Sequence, residues 1–191
     1  DALDIKISSL EKDVELLRQG TINNFNILVF GNSYSYRSAA QGDANLLRLL
    51  DSVGVNSFLC VVGNGGASFQ SNYTKYTNNE KNSYRWEGDA ITGVVDKASE
   101  PMTYIEALMY KPWDYIIFHQ ASKYSGNLES FTPYLQDLID AAKIYCDNEN
   151  VKFGLMQTWA YADINGAYPT TSTTEPIYNN QEDMYNAICA T

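Results

Sequence analysis

"NILVFGNSYSY", residues 26–36, is the stretch from which the rest of the chain is read. Ile27, Leu28, Val29 and Phe30 form an unbroken apolar run, the pattern of a strand covered on both faces. Gly31 follows, and glycine reaches backbone angles closed to other residues, which allows a sharp turn at the strand end. Asn32 and Ser33 are residue types that favour turns and helix N-caps. The stretch therefore predicts a core strand running into a helix, and it leaves Ser33 with two readings. The hydroxyl caps the helix, or it is a nucleophile held on a strand-to-helix turn, as hydrolases built on α/β sheets hold theirs.

Working outward, strands alternate with helices. "NSFLCVVG" (56–63), "WDYIIFH" (113–119) and "VKFGLMQ" (151–157) read as three more core strands. Helices are expected near 39–53, with Leu46, Leu47 and Leu50 on one face and Gly54 as the stop, near 103–110, and over 128–147. Residues 180–190 read as the start of another helix. The segment 64–102 is rich in Asn, Tyr, Ser and Thr, and "SYRWEG" within it alternates like a short exposed strand, so a hairpin excursion is expected. This alternation indicates parallel βαβ units and an α/β fold, a three-layer α/β/α sandwich on a mostly parallel sheet. Ligands of such sheets gather at the carboxyl ends of the strands. Here those ends read "GNS", "GNGGAS", "HQAS" and "QTWAY", all polar, glycine-bearing or aromatic.

Ahead of this unit, Leu3, Ile7, Leu10, Val14 and Leu17 recur at steps of three and four. They predict an amphipathic helix over residues 1–20, through which the chain could associate, joined by a short linker to a domain over 25–191.

Composition narrows the function classes. A net charge of −10 argues against nucleic acid, whose phosphates demand Lys and Arg clusters, and no basic run exceeds two residues. The apolar runs are too short to span a bilayer. Cys60, Cys146 and Cys189 match no zinc spacing; Cys60 reads as a small core residue, and a Cys146–Cys189 disulfide is open to an oxidising compartment. His119 is the only histidine, which excludes a multi-histidine metal site. No metal or organic cofactor is expected.

Five blocks in order, "ILVFGNSYS", "GGASF", "WDYIIFHQASKYSG", "QTWAY" and "DMYNAI", resemble the SGNH (GDSL-like) hydrolase superfamily. The likeness is to its mostly secreted bacterial branch, which writes the first block G-N-S-F-S. The resemblance spans about residues 25–190 and implies a serine esterase or acyl hydrolase that removes O-acetyl or similar groups from carbohydrates. It implies a secreted, periplasmic or cell-surface setting and an acylated carbohydrate or other small ester as partner. It places the catalytic nucleophile on Ser33. It builds the oxyanion hole from the N–H of Ser33, the N–H of Gly66 (Gly65 if the register differs by one) and the side-chain amide of Gln120, which stands in for the usual asparagine, with Ser122 the next choice for that donor. Asn32, where other members carry Asp, Ser122 and Trp159 are then the substrate-binding candidates, with Tyr161 beside Trp159.

The superfamily takes its catalytic Asp and His from a carboxyl-terminal block, and no histidine follows His119 here. The expectation is a domain cut before its last strand and missing its general base; His119 is the only internal candidate to replace it, and its plainer reading is a strand-end histidine that merely hydrogen-bonds. The rival reading is a non-catalytic carbohydrate-binding or scaffold protein on the same fold. A nucleotide binder of flavodoxin type is weaker, because the first loop lacks a phosphate-cradling glycine pattern.

Overall fold

The structure, a computed structural model, describes residues 24–40, 45–89 and 91–157, together with residues 182, 185, 186, 189 and 190 near the carboxyl end. The expected helix over 1–20, Trp159, Tyr161 and most of 180–190 lie outside the described residues.

The elements run β1 (Asn24–Gly31), α1 (Ser33–Ala39), α2 (Leu46–Ser52), β2 (Asn56–Gly63), α3 (Phe69–Thr77), β3 (Tyr84–Asp89), β4 (Gly93–Asp96), α4 (Tyr104–Met109), β5 (Tyr115–Phe118), α5 (Tyr134–Tyr145) and β6 (Lys152–Leu155). Six strands form one sheet in the order β4-β3-β2-β1-β5-β6. β2, β1, β5 and β6 are parallel, and β3 and β4 add an antiparallel edge. The fold is α/β with helices on both faces of a mostly parallel sheet.

The period-2 alternation of each strand sorts its side chains between the two layers. Leu28, Phe30, Cys60, Val62, Ile116 and Phe118 face α3, α4 and α5, meeting Phe69, Leu108, Leu135 and Leu138 in the larger core. Ile27, Val29, Leu59 and Val61 face α1 and α2, meeting Ala39, Ala40 and Leu47 in the smaller one. Each fully buried Leu or Val is worth about 1.5–3 kcal/mol, so the central pair β1–β2 is the most stabilising part of the sheet. Trp113, fully buried, keeps its indole N–H satisfied by donating to the Ala107 carbonyl at 2.9 Å.

Several expectations shift. The polar stretch after β2 does hold a hairpin, β3–β4, but it extends the main sheet instead of standing apart, and α3 precedes it. The helix expected near 39–53 is described over Leu46–Ser52, and another helix precedes it at Ser33–Ala39. The first begins at Ser33 because Asn32 caps it, and the second begins at Leu46 because the Asn45 side chain accepts the Arg48 N–H at 3.1 Å. The helix expected over 128–147 spans only Tyr134–Tyr145, preceded by short 3-10 turns at Ser122–Tyr124 and Leu128–Ser130. Gly54 ends α2 with φ +77° as expected. Cys60, Cys146 and Cys189 are all free thiols, and burial pushes the Cys60 thiol up to about 12, so it is an inert core residue.

Gly31 is a glycine for a different reason from the one the sequence suggested. Its φ is not positive. A Cβ there would lie 1.9 Å from Ser35 Oγ, because α1 folds Ser35 back over the strand end. The neighbouring Gly63 is as crowded, and by backbone: the Gly31 carbonyl oxygen lies 2.0 Å from where its Cβ would stand. The carboxyl ends of β1 and β2 thus require two facing glycines. We expect Gly63→Ala to destabilise by about 3 kcal/mol and Gly31→Ala by about 2 kcal/mol, since the first meets backbone and the second a small side chain. Urea unfolding of the two variants measures this, and equal, negligible losses would contradict the crowding.

Candidate functional site

Three chain segments converge where the parallel strands end. β1 passes into α1 at Gly31-Asn32-Ser33. β2 leaves through Asn64-Gly65-Gly66-Ala67. β5 leaves through His119-Gln120-Ala121-Ser122. Together they form a cleft of about 430 Å³. Asn32, Ser33, Tyr34 and Arg37 line it from the first segment, Gly66 from the second, and Ala121, Ser122 and Lys123 from the third.

Asn32 answers the question of which residue caps the helix. Its Oδ1 accepts the Tyr34 N–H at 3.1 Å, and the side chain also accepts from the backbone of Ser35. Its Nδ2 donates to the Ala67 and Gln120 carbonyls, both at 3.2 Å. One carboxamide therefore joins the ends of β1, β2 and β5. With 1 % of its surface exposed and both ends engaged internally, Asn32 is a scaffold residue, which corrects its expected substrate-binding role.

Because Asn32 is the cap, Ser33 is left free. It is the first residue of α1, half-buried and on the cleft wall. Among the described residues, no hydrogen bond engages its hydroxyl or its N–H. Gly66, the third residue of a tight turn closed by the Ala67 N–H on the Asn64 carbonyl at 3.2 Å, has φ +66° and an N–H that is likewise unengaged. No atom lies within 4 Å of where a Cβ would stand, so the backbone angle alone demands glycine there. Gly66, and not Gly65, lines the cleft. The loop is anchored by Asn64, whose Oδ1 accepts from the N–H and hydroxyl of Ser83 and whose Nδ2 donates to Asn82.

Gln120 departs from expectation. Its Oε1 accepts the N–H groups of Phe69 and Ala121 at 3.0 and 2.9 Å, and its Nε2 donates to the carbonyl and hydroxyl of Ser130. Both ends of the amide are committed, the residue is 3 % exposed, and it does not line the cleft. It pins α3 and the 3-10 turns to the end of β5. The assignment of Gln120 as an oxyanion donor is therefore corrected. Ser122 does reach the cleft, as expected.

His119 faces the other side of the sheet, as alternation along β5 requires. Its Nδ1 lies 2.6 Å from Ser35 Oγ. The direction of that bond depends on the imidazole tautomer, and the same oxygen also accepts the Asn32 N–H at 3.2 Å. Nε2 is buried and has no hydrogen-bond partner among the described residues, Ser33 included. Burial lowers the His119 pKa from 6.5 to about 4. A buried ring bonded to Ser35 and not to Ser33 fits the plainer reading, a strand-end histidine that hydrogen-bonds, and not a substitute base for Ser33.

The sequence reading missed Tyr34, Arg37 and Lys123 on the cleft wall and Ser35 behind it. Only the three-dimensional convergence of segments brings them together, and Arg37 is four residues from Ser33 on one helix face. Among the described residues, no group of three or more His, Cys, Asp or Glu is placed to hold a metal, and no helix is long and apolar enough to cross a membrane.

Residues 26–191 match a family model described as "Domain of unknown function (DUF4886)". The chain is also similar to a solved structure, the crystal structure of a DUF4886 family protein from Bacteroides uniformis, at 25% identity and a TM-score of 0.69. That match covers 88% of this chain and 61% of the other, so this chain spans about three fifths of that protein's length. No curated protein matches.

Two predictions follow from the buried polar groups. Asn32→Asp removes the donors to two buried carbonyls and sets a carboxylate against them; it should destabilise by about 3 kcal/mol in urea unfolding, more than Ser33→Ala, which should be near neutral. For His119, the folded pKa of about 4 lies below the unfolded value near 6.5. The unfolded chain takes up the proton first, so stability is lost as pH falls from about 6.5 towards 4 and this loss ends below 4. The loss from this group should reach on the order of 3 kcal/mol, and His119→Asn should remove it when unfolding is compared at pH 7 and pH 4.5.

Proposed function

We propose that this chain, which belongs to the DUF4886 family, is an SGNH-type serine esterase acting on O-acyl esters of carbohydrates through an acyl-enzyme on Ser33. The observation that carries the reading is a cleft wall on which Ser33 and Gly66 both stand, with the Ser33 hydroxyl and both residues' backbone N–H groups unengaged among the described residues. Charge develops on the carbonyl oxygen during acyl transfer, and preorganised N–H donors stabilise it; losing one donor typically costs about 3–4 kcal/mol.

In this reaction Ser33 Oγ bonds to the acyl carbon and gives up its proton, while the sugar oxygen leaves as an alcohol with a proton. Water then attacks the acyl-enzyme, releasing the carboxylic acid and restoring the Ser33 hydroxyl. Asn32, Gln120 and the two facing glycines act at a distance, by fixing where the three segments meet. The order of the sequence blocks supports the same reading. A serine hydroxyl needs a base to take its proton. Among the described residues none is hydrogen-bonded to Ser33, and this favours a second reading, a carbohydrate-binding protein that retains the fold without turnover.

Hydrolysis of 4-nitrophenyl acetate by the wild-type chain and by Ser33→Ala separates the two. The esterase reading expects Ser33→Ala to lose at least about a thousandfold in kcat/KM, and a fluorophosphonate to add its mass to the peptide containing Ser33. Turnover that survives Ser33→Ala overturns it. Absence of both turnover and labelling, with binding of an acetylated oligosaccharide retained, favours the binding reading.

A further inference from the structure

The cleft carries a charge pattern that runs against the rest of the molecule. The chain has 23 Asp and Glu against 13 Lys and Arg, so a surface concavity drawn at random contains more acids than bases. Among the described residues, those lining the Ser33 cleft include two cations and no acid. They come from different elements, Arg37 from the last turn of α1 and Lys123 from the 3-10 turn after β5. Both are exposed, and among the described residues neither forms an ion pair. Lys123 Nζ sits 4.7 Å from the centre of the Tyr124 ring, which orients the ammonium and leaves its charge unneutralised.

Elsewhere among the described residues some cations are matched by acids, whereas Lys81, Lys97, Lys111 and Lys152 form no ion pair. Lys75 pairs with Glu80, Lys143 with Asp140, and Arg85 with Glu87 and Glu100. Two unmatched cations on opposite segments of one cleft, in a strongly acidic protein, focus positive potential beside the Ser33 hydroxyl. Arg offers a planar fork suited to a carboxylate, and Lys offers a point charge.

We infer that the Ser33 cleft selects anionic ligands, and specifically esters whose alcohol part bears a carboxylate, such as an O-acylated acidic sugar. The ester part rests on the reading of Ser33 as nucleophile; the preference for an anion rests on Arg37 and Lys123 alone. Carboxylate binding by the two side chains would hold the sugar while its acyl carbonyl lies towards the N–H groups of Ser33 and Gly66. The exposure of both cations makes the preference salt-sensitive, because screening at physiological ionic strength acts over about 8 Å.

The test uses methyl glucuronoside and methyl glucoside, which differ by a carboxylate, titrated by calorimetry or NMR against the wild-type chain, Ser33→Ala and Arg37→Gln/Lys123→Gln. The glucuronoside should bind at least about tenfold more tightly than the glucoside at 20 mM salt, a preference equivalent to about 1.4 kcal/mol. Ser33→Ala should keep that preference, 300 mM salt should reduce it, and the double variant, with its thermal melt unchanged, should abolish it. Equal binding of the two sugars, binding of neither, or an anion preference that survives in the double variant overturns the inference. Hydrolysis of 4-nitrophenyl acetate, measured in parallel, reports on the nucleophile separately, so an inactive Ser33 and an indifferent cleft give different results.

Discussion

The Asn32 carboxamide is the contact on which the site depends, because it engages three chain segments with one planar group. Its oxygen receives N–H groups of the first turn of α1, and its nitrogen donates to carbonyls on the β2 and β5 loops. A carboxylate has no donors and a hydroxyl has one, so neither can serve all of these partners at once. By taking the capping position Asn32 also releases Ser33 from it. The serine then stands at the first helical position, where a side chain has no capping duty and faces the cleft. The residue that carries the chemistry in our proposal is free because its neighbour is fully occupied.

A second layer of polar groups supports that arrangement from either side of the sheet. His119 and Gln120 are adjacent in sequence but turn to opposite faces, one to Ser35 and the other to Phe69 and Ser130. Each side chain is almost fully buried, and each fixes one helix to the end of β5. Buried polar groups are costly when unpaired, so these bonds act mainly by specifying a single arrangement of the segments. Gly31 and Gly63 permit that arrangement, since a methyl group on either would collide with what the turn brings back over the strands. The cleft is thus a junction fixed by buried bonds, and among the described residues Ser33, Gly66, Arg37 and Lys123 stand on its walls with groups that make no hydrogen bond or ion pair.

The division between what could be read in the sequence and what could not follows from range. Apolar runs such as Ile27–Phe30 and Leu59–Val62, separated by helix-length segments, determined the α/β class, the parallel core and the cleft's location at the strand ends, because strand periodicity and chain connectivity are local properties. The serine at the β1 turn was legible for the same reason, whereas Gly66, with Gly65 as the alternative, followed from the family resemblance. The sequence by itself could not determine how polar side chains at the strand ends divide their hydrogen bonds. Gln120 has the donors of an oxyanion hole, and only the packing of α3 and the Ser130 turn against β5 decided that those donors are consumed. His119 has the chemistry of a base, and only the return of α1 over the strand end placed Ser35 against it. Arg37 and Lys123 are 86 positions apart in the chain and become neighbours of one cleft because β1 and β5 are adjacent in the sheet. A donor's availability and a cation's neighbourhood are long-range properties, and it takes the tertiary structure to decide them.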